Sequence, residues 1–222
     1  LRGEGDDDQI DAGGGHDTVY AGFGNDTAFG GAGDDYVTGG DGMDVLDGEN
    51  GDDYVIGGAG DDVVIGGAGN DSLVGNDGDD TLDGGNLEDT LRGQNDNDLM
   101  SGGNDEDSLA GGAGDDTLNG DGGLDSLRGG GGNDTVLGGI GHDLVTGGVG
   151  NDRVDGQNGN DTVIGGGGAG SGRETRAREA SGGRGRATHL CSSIPTHVGS
   201  RSRRALVRPA PSQNQQICVR SL

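Results

Sequence analysis

The sequence predicts an all-β fold: a right-handed parallel β-roll, a β-solenoid of 18 nonapeptide repeats wound two to a coil, followed by a disordered C-terminal tail. Three observations predict it. A nine-residue period runs from Gly3 to Ile164 without insertion or deletion, and its 162 residues divided by nine give the 18 rows. Gly supplies 56 of 222 residues while Pro supplies 3 and Trp none, which leaves neither a core of large interdigitating side chains nor a collagen helix. Charge divides the chain. Residues 1–164 hold 38 acids and 4 Arg (4 − 38 = −34), and residues 165–222 hold 10 Arg and 2 Glu (10 − 2 = +8). The glycine run 165–168 therefore separates a repeat domain, 1–164, from a Gly/Arg-rich tail, 165–222.

Each column of the repeat has a physical reason. Rows such as 111–119 (GGAGDDTLN), 129–137 (GGGGNDTVL) and 147–155 (GGVGNDRVD) split into a six-residue turn and a three-residue strand. Gly dominates the first column in 16 rows and the fourth in 14, where it permits positive φ and close approach of backbones. The eighth column is aliphatic or Met in 17 rows, with Ala28 the exception. Side chains alternate faces along a strand, so this column makes an apolar seam. Val19, Val37, Val55 and Leu73 line one wall, and Leu46, Val64 and Leu82 the other. Each turn reverses the chain, so row n stacks on row n+2 about 4.8 Å away, and nine coils span about 38 Å.

The sixth column is Asp in all 18 rows. The coil sorts these residues onto two edges. One carries Asp8, Asp26, Asp44, Asp62, Asp80, Asp98, Asp116, Asp134 and Asp152; the other carries Asp17, Asp35, Asp53, Asp71, Asp89, Asp107, Asp125, Asp143 and Asp161. Carboxylates stacked at strand spacing repel, and low hydrophobicity with high net charge otherwise means disorder. A hard divalent cation removes the repulsion. Calcium accepts six to eight carboxylate and carbonyl oxygens, whereas zinc prefers Cys and His, and magnesium holds its water. Nine turns on each edge leave eight gaps, so two edges allow at most 16 ions, or +32 against −34. The acidity repels nucleic acid and anionic membranes, and no apolar run is long enough for a transmembrane segment.

The pattern resembles the hemolysin-type, repeats-in-toxin (RTX) family of calcium-binding repeats, GGxGxDxUx, over 162 of 222 residues. The resemblance implies calcium ions between stacked turns, with the sixth-column Asp of each as ligand. It implies an extracellular, secreted protein that is exported unfolded and folds in external calcium. Two functions follow: a calcium-coupled folding module of a larger toxin, hydrolase or adhesin, or a repeat module that binds a polysaccharide or another surface. The partners are calcium and, for the second reading, an anionic polysaccharide or cell surface reached through a neighbouring domain. A chain starting at Leu1 without a signal peptide reads as a fragment or mature segment.

Enzyme signatures such as H-E-x-x-H and G-x-S-x-G are missing, and no catalytic residue is assigned. The recurrence of pairs such as Asp61–Asp62 marks them as turn residues. Gly129–Gly132 lacks the Lys of a phosphate loop. His16 and His142 read as exposed turn residues, Glu88 and Glu106 as solvated, and Tyr36 and Tyr54 as a stacked pair on an outer face, with Tyr20, Phe29, Ile56 and Ile65 also outward. Leu87, in a fourth-column position, strains its turn, and rows 84–110 are expected to lose or distort sites. Cys191 and Cys218 have no metal-type spacing. The Arg-rich tail reads as disordered, or as a frame-shifted reading of further repeat DNA.

Overall fold

A computed structural model describes residues 1–167 and the two-residue strand 188–189. The expectations for the tail's disorder and origin, and for both Cys, lie outside the described residues. Among those described there is no helix, and hence none long and apolar enough to cross a membrane. The chain is a parallel β-solenoid. Successive strands, beginning β1 (Arg2–Gly5), β2 (Gln9–Asp11), β3 (Thr18–Phe23) and β4 (Thr27–Ala32) and ending the coil with β19 (Thr162–Gly166), alternate between two sheets. Every pairing within the coil is parallel and offset by 18 residues, as in Val19↔Val37, Val37↔Val55 and Leu46↔Val64. Two rows therefore make one turn.

The eighth column forms the core. From Val19 to Val163 its residues make one buried cluster, with Ile10 packed against it at the open end. Burying a Leu such as Leu91 stabilises by roughly 1.5–3 kcal/mol, and one such residue per strand gives a seam only one side chain deep from each sheet. The flanking seventh and ninth columns face outward, as the alternating burial of Tyr36–Asp41 shows. Tyr36 and Tyr54 stack outside at 5.6 Å between centroids and 23° between planes. Tyr20 is exposed, while Phe29, Ile56 and Ile65 are half-buried on outer faces.

The strands are longer than a three-residue reading implies. Most run six residues, from the seventh column to the third column of the next row, as in Thr81–Asn86. Pairing persists through the corner, with Gly85 opposite Gly67 and Asn86 opposite Ala68. The corner is the second column, which has positive φ in every row. Gly fills it at positions such as Gly31, φ 109°, but Glu49, Asn76 and Gln94 adopt it too, at 68°, 90° and 89°.

Rows 84–110 keep the register of their neighbours. The irregularity is absorbed locally, because Leu87, Asp96 and Asp105 take left-handed φ of 77°, 67° and 75° where most rows have Gly. A branched residue there costs about 1–2 kcal/mol, and Leu87 is 48% exposed, so packing returns little. Leu87→Gly should therefore raise stability in calcium by about 1 kcal/mol, read as a higher denaturation midpoint. A lower midpoint would mean that its side chain supports the turn.

Candidate metal centre

The sixth-column Asp residues join successive coils through their backbone groups and one carboxylate oxygen, Oδ1. From Asp8 to Asp143 the backbone carbonyl of each accepts the N–H of the seventh-column residue one coil later, as Asp62 does from Thr81 at 2.8 Å. The backbone N–H donates to Oδ1 of the Asp 18 residues on. One ladder runs from Asp8 to Asp26 Oδ1 (2.8 Å) and ends with Asp134 to Asp152 Oδ1 (3.1 Å). The second runs from Asp17 to Asp35 Oδ1 (2.7 Å) and ends with Asp143 to Asp161 Oδ1 (3.1 Å). The structure thus brings all 18 predicted residues onto two edges in the expected order. Rows 84–110 are included: Asp89 N–H reaches Asp107 Oδ1 at 2.8 Å, and Asp98 N–H reaches Asp116 Oδ1 at 3.0 Å.

The other oxygen has no partner. From Asp26 to Asp143, fourteen Oδ2 atoms are buried without a hydrogen-bond donor, a costly state for a carboxylate. The first-column Gly of the same row explains their position. A methyl group built on Gly30 would sit 2.7 Å from Asp35 Oδ2 and 3.0 Å from the Gly48 carbonyl oxygen of the next coil. At Gly138 the corresponding distances are 2.6 Å to Asp143 Oδ2 and 2.7 Å to Gly156 O. First-column glycine therefore leaves room for an oxygen-lined cradle. Its φ is ordinary; a missing Cβ is what the site needs.

Burial raises the carboxyls. It pushes Asp53, Asp62, Asp89, Asp98 and Asp125 up to about 7, and Asp71, Asp80, Asp107 and Asp134 up to about 6. The hydrogen bond from the Asp one coil earlier pulls each down, and repulsion from nearby acids adds to the rise. Asp44, Asp116, Asp143 and Asp161 are also raised, first by burial.

Among the described residues, no point gathers three or more His, Cys, Asp or Glu side chains. An unpaired carboxylate oxygen beside backbone carbonyls instead fits a hard, oxygen-seeking cation.

The fifth column forms a separate, exposed ladder that the sequence did not suggest. Its side chains accept backbone N–H groups from one coil later, as Asp52 Oδ1 does from Asn70 and Asn97 Oδ1 from Asp115, both at 2.8 Å. His16 and His142 are exposed members, with Nδ1 accepting from Asp34 at 2.9 Å and from Asn160 at 2.8 Å. Glu88 and Glu106 have exposed side chains.

A family profile of the RTX calcium-binding nonapeptide repeat matches nine overlapping stretches between residues 1 and 171. The chain belongs to the RTX calcium-binding repeat family. No curated protein matches it. The RTX repeat is a structural calcium-binding module, in keeping with two edges of stacked carboxylates.

The raised carboxyls fix the sign of a pH effect. Folded groups that titrate near 6 to 7, against 3.8 unfolded, bind more protons than the unfolded chain in between. Their contribution to the metal-free coil is complete below about pH 4 and is lost as pH rises through 7. In chelator, circular dichroism should thus show strand signal growing as pH falls from 8 to 5. A signal that is flat or weakens on acidification would contradict the burial.

Proposed function

We propose that this chain is a calcium-driven folding module of a larger secreted protein, such as a toxin, hydrolase or adhesin. The observation that carries the reading is the run of buried, unpartnered Oδ2 atoms. In this reading Asp8 through Asp152 on one edge, and Asp17 through Asp161 on the other, hold calcium with Oδ2, and first-column carbonyls complete the set. The bound ions supply positive charge, at most +32 in sixteen gaps against −34. The chain's own contribution is to hold Oδ1 on the preceding Asp N–H, leaving Oδ2 free, and to keep a Cβ out of the cradle.

Calcium is scarce in cytosol and abundant outside, and extracellular modules bind it at roughly 10⁻⁴–10⁻³ M. The chain would stay unfolded before export and fold afterwards. Each turn serves two gaps and each repeat needs its neighbours, so folding should be cooperative in calcium.

The triple substitution Asp71→Asn, Asp89→Asn and Asp107→Asn separates the two roles of the carboxylate. Asn keeps an oxygen for the N–H ladder but removes the charge. The variant should bind fewer calcium ions by equilibrium dialysis and need about tenfold more calcium to fold, while its metal-free coil becomes easier to form. Unchanged stoichiometry and midpoint would remove these residues from the ligand set.

A further inference from the structure

The chain has 3 Tyr and no Trp in 222 residues, and the coil gathers every one of those tyrosines on one outer face. Tyr20 lies on β3, Tyr36 opens β5 (Tyr36–Asp41) and Tyr54 opens β7 (Tyr54–Ala59), three neighbouring strands of one sheet. Tyr36 and Tyr54 are one turn apart (54 − 36 = 18) and pair directly in register. Their rings stack with 5.6 Å between centroids and 23° between planes. Tyr54 is 39% exposed and Tyr36 half-buried, so a reagent in solution reaches the pair and the rings have room to turn.

Tyr20 is placed differently. Its partner in register is Thr38, and it meets Tyr36 only on the diagonal, at 6.0 Å and 50°. The Arg2 guanidinium lies 5.2 Å from the centroid of its ring. A cation over a ring is held by the ring's π electrons, and it opposes the removal of one of them. Tyr20 is thus both the hardest of the three to oxidise and the worst placed to couple.

We propose that Tyr36 and Tyr54 form an oxidative cross-linking site, which a one-electron phenol oxidant of the peroxide-driven peroxidase class converts to dityrosine. Each phenol loses one electron and its hydroxyl proton and becomes a phenoxyl radical. The two radicals couple through the ring carbons ortho to their oxygens, forming one C–C bond. The hydrogen on each of those carbons then moves to the phenol oxygen, which restores both aromatic rings. One hydrogen peroxide accepts the two electrons and two protons and leaves as two waters. Proximity selects the partner, because stacked rings are already held side by side. In an unfolded chain the same two rings meet only by closing a loop, at an entropic cost. The bond staples two adjacent coils and keeps that loop closed when calcium is withdrawn. The site rests on the calcium-folded coil proposed above, since only the coil brings the two rings together.

The test uses the full chain at low concentration with a heme peroxidase and limiting hydrogen peroxide. Its thiols are alkylated first, because Cys191 and Cys218 would otherwise consume radicals. In calcium, the monomer should gain dityrosine fluorescence and become lighter by two hydrogen atoms. Cleavage after Glu49 separates Tyr36 from Tyr54 in the untreated chain, so the product should yield these two fragments joined. In chelator, or in magnesium, the yield within one chain should fall about tenfold. Tyr36→Phe and Tyr54→Phe should each abolish the product and Tyr20→Phe should retain it, all three with the wild-type calcium-induced circular dichroism. The cross-linked chain should also fold at about threefold lower calcium, because its unfolded state has less entropy. The proposal is overturned if the folded wild type forms no bond within one chain, if the yield is the same in chelator, or if Tyr36→Phe still cross-links. Absence of any calcium-induced spectrum in the untreated wild type would instead overturn the folding module.

Discussion

Buried negative charge stacked at the pitch of a β-sheet is the constraint on which this molecule turns. Two carboxylates about 4.8 Å apart, at an effective dielectric near 20, repel by about 3 kcal/mol. Sixteen such neighbours would exceed the whole stability of an ordinary domain, about 5–15 kcal/mol. The apolar seam, with one medium-sized side chain per strand, cannot offset both that repulsion and the entropy of ordering the chain, about 1–2 kcal/mol per residue. Protonation relieves the repulsion in acid. At neutral pH the relief must come from bound cations, and the backbone is arranged to admit them.

The three glycine columns do different work in that arrangement. First-column Gly, such as Gly30, removes a Cβ that would collide with Asp35 Oδ2. Second-column Gly, such as Gly31, turns the corner at positive φ, as fourth-column Gly33 does at 116°. The first of these columns is the one tied to the unpartnered oxygen, Oδ2. Substitution is correspondingly frequent in the second column, where Glu49 and Gln157 accept the left-handed backbone, and rare in the first, where only Ala12 and Ala21 replace Gly.

Most of this was legible in the sequence because period nine is itself structural. The invariant Asp column, the apolar eighth column and the alternation of rows sufficed to place Val37 against Val55 and Asp26 against Asp44. What stayed hidden depends on atoms within a residue or on faces of the folded coil. A one-letter Asp does not show that Oδ1 is taken by the preceding N–H while Oδ2 is left over. Glycine at a corner does not declare whether φ or a missing Cβ is required. Leu87 signalled strain correctly, yet not that the neighbouring rows would hold their register around it. Arg92 and Arg128 look scattered along the chain and come to lie on one sheet, with Ala110 in register between them, only because intervening rows go to the opposite sheet.

The most direct test of the account is small-angle scattering of the same sample at pH 7.5, first in chelator and then in millimolar calcium. Collapse from an expanded chain to a compact rod on adding calcium, with no such collapse in magnesium, is the predicted result. A metal-free sample already as compact as the loaded one would contradict it.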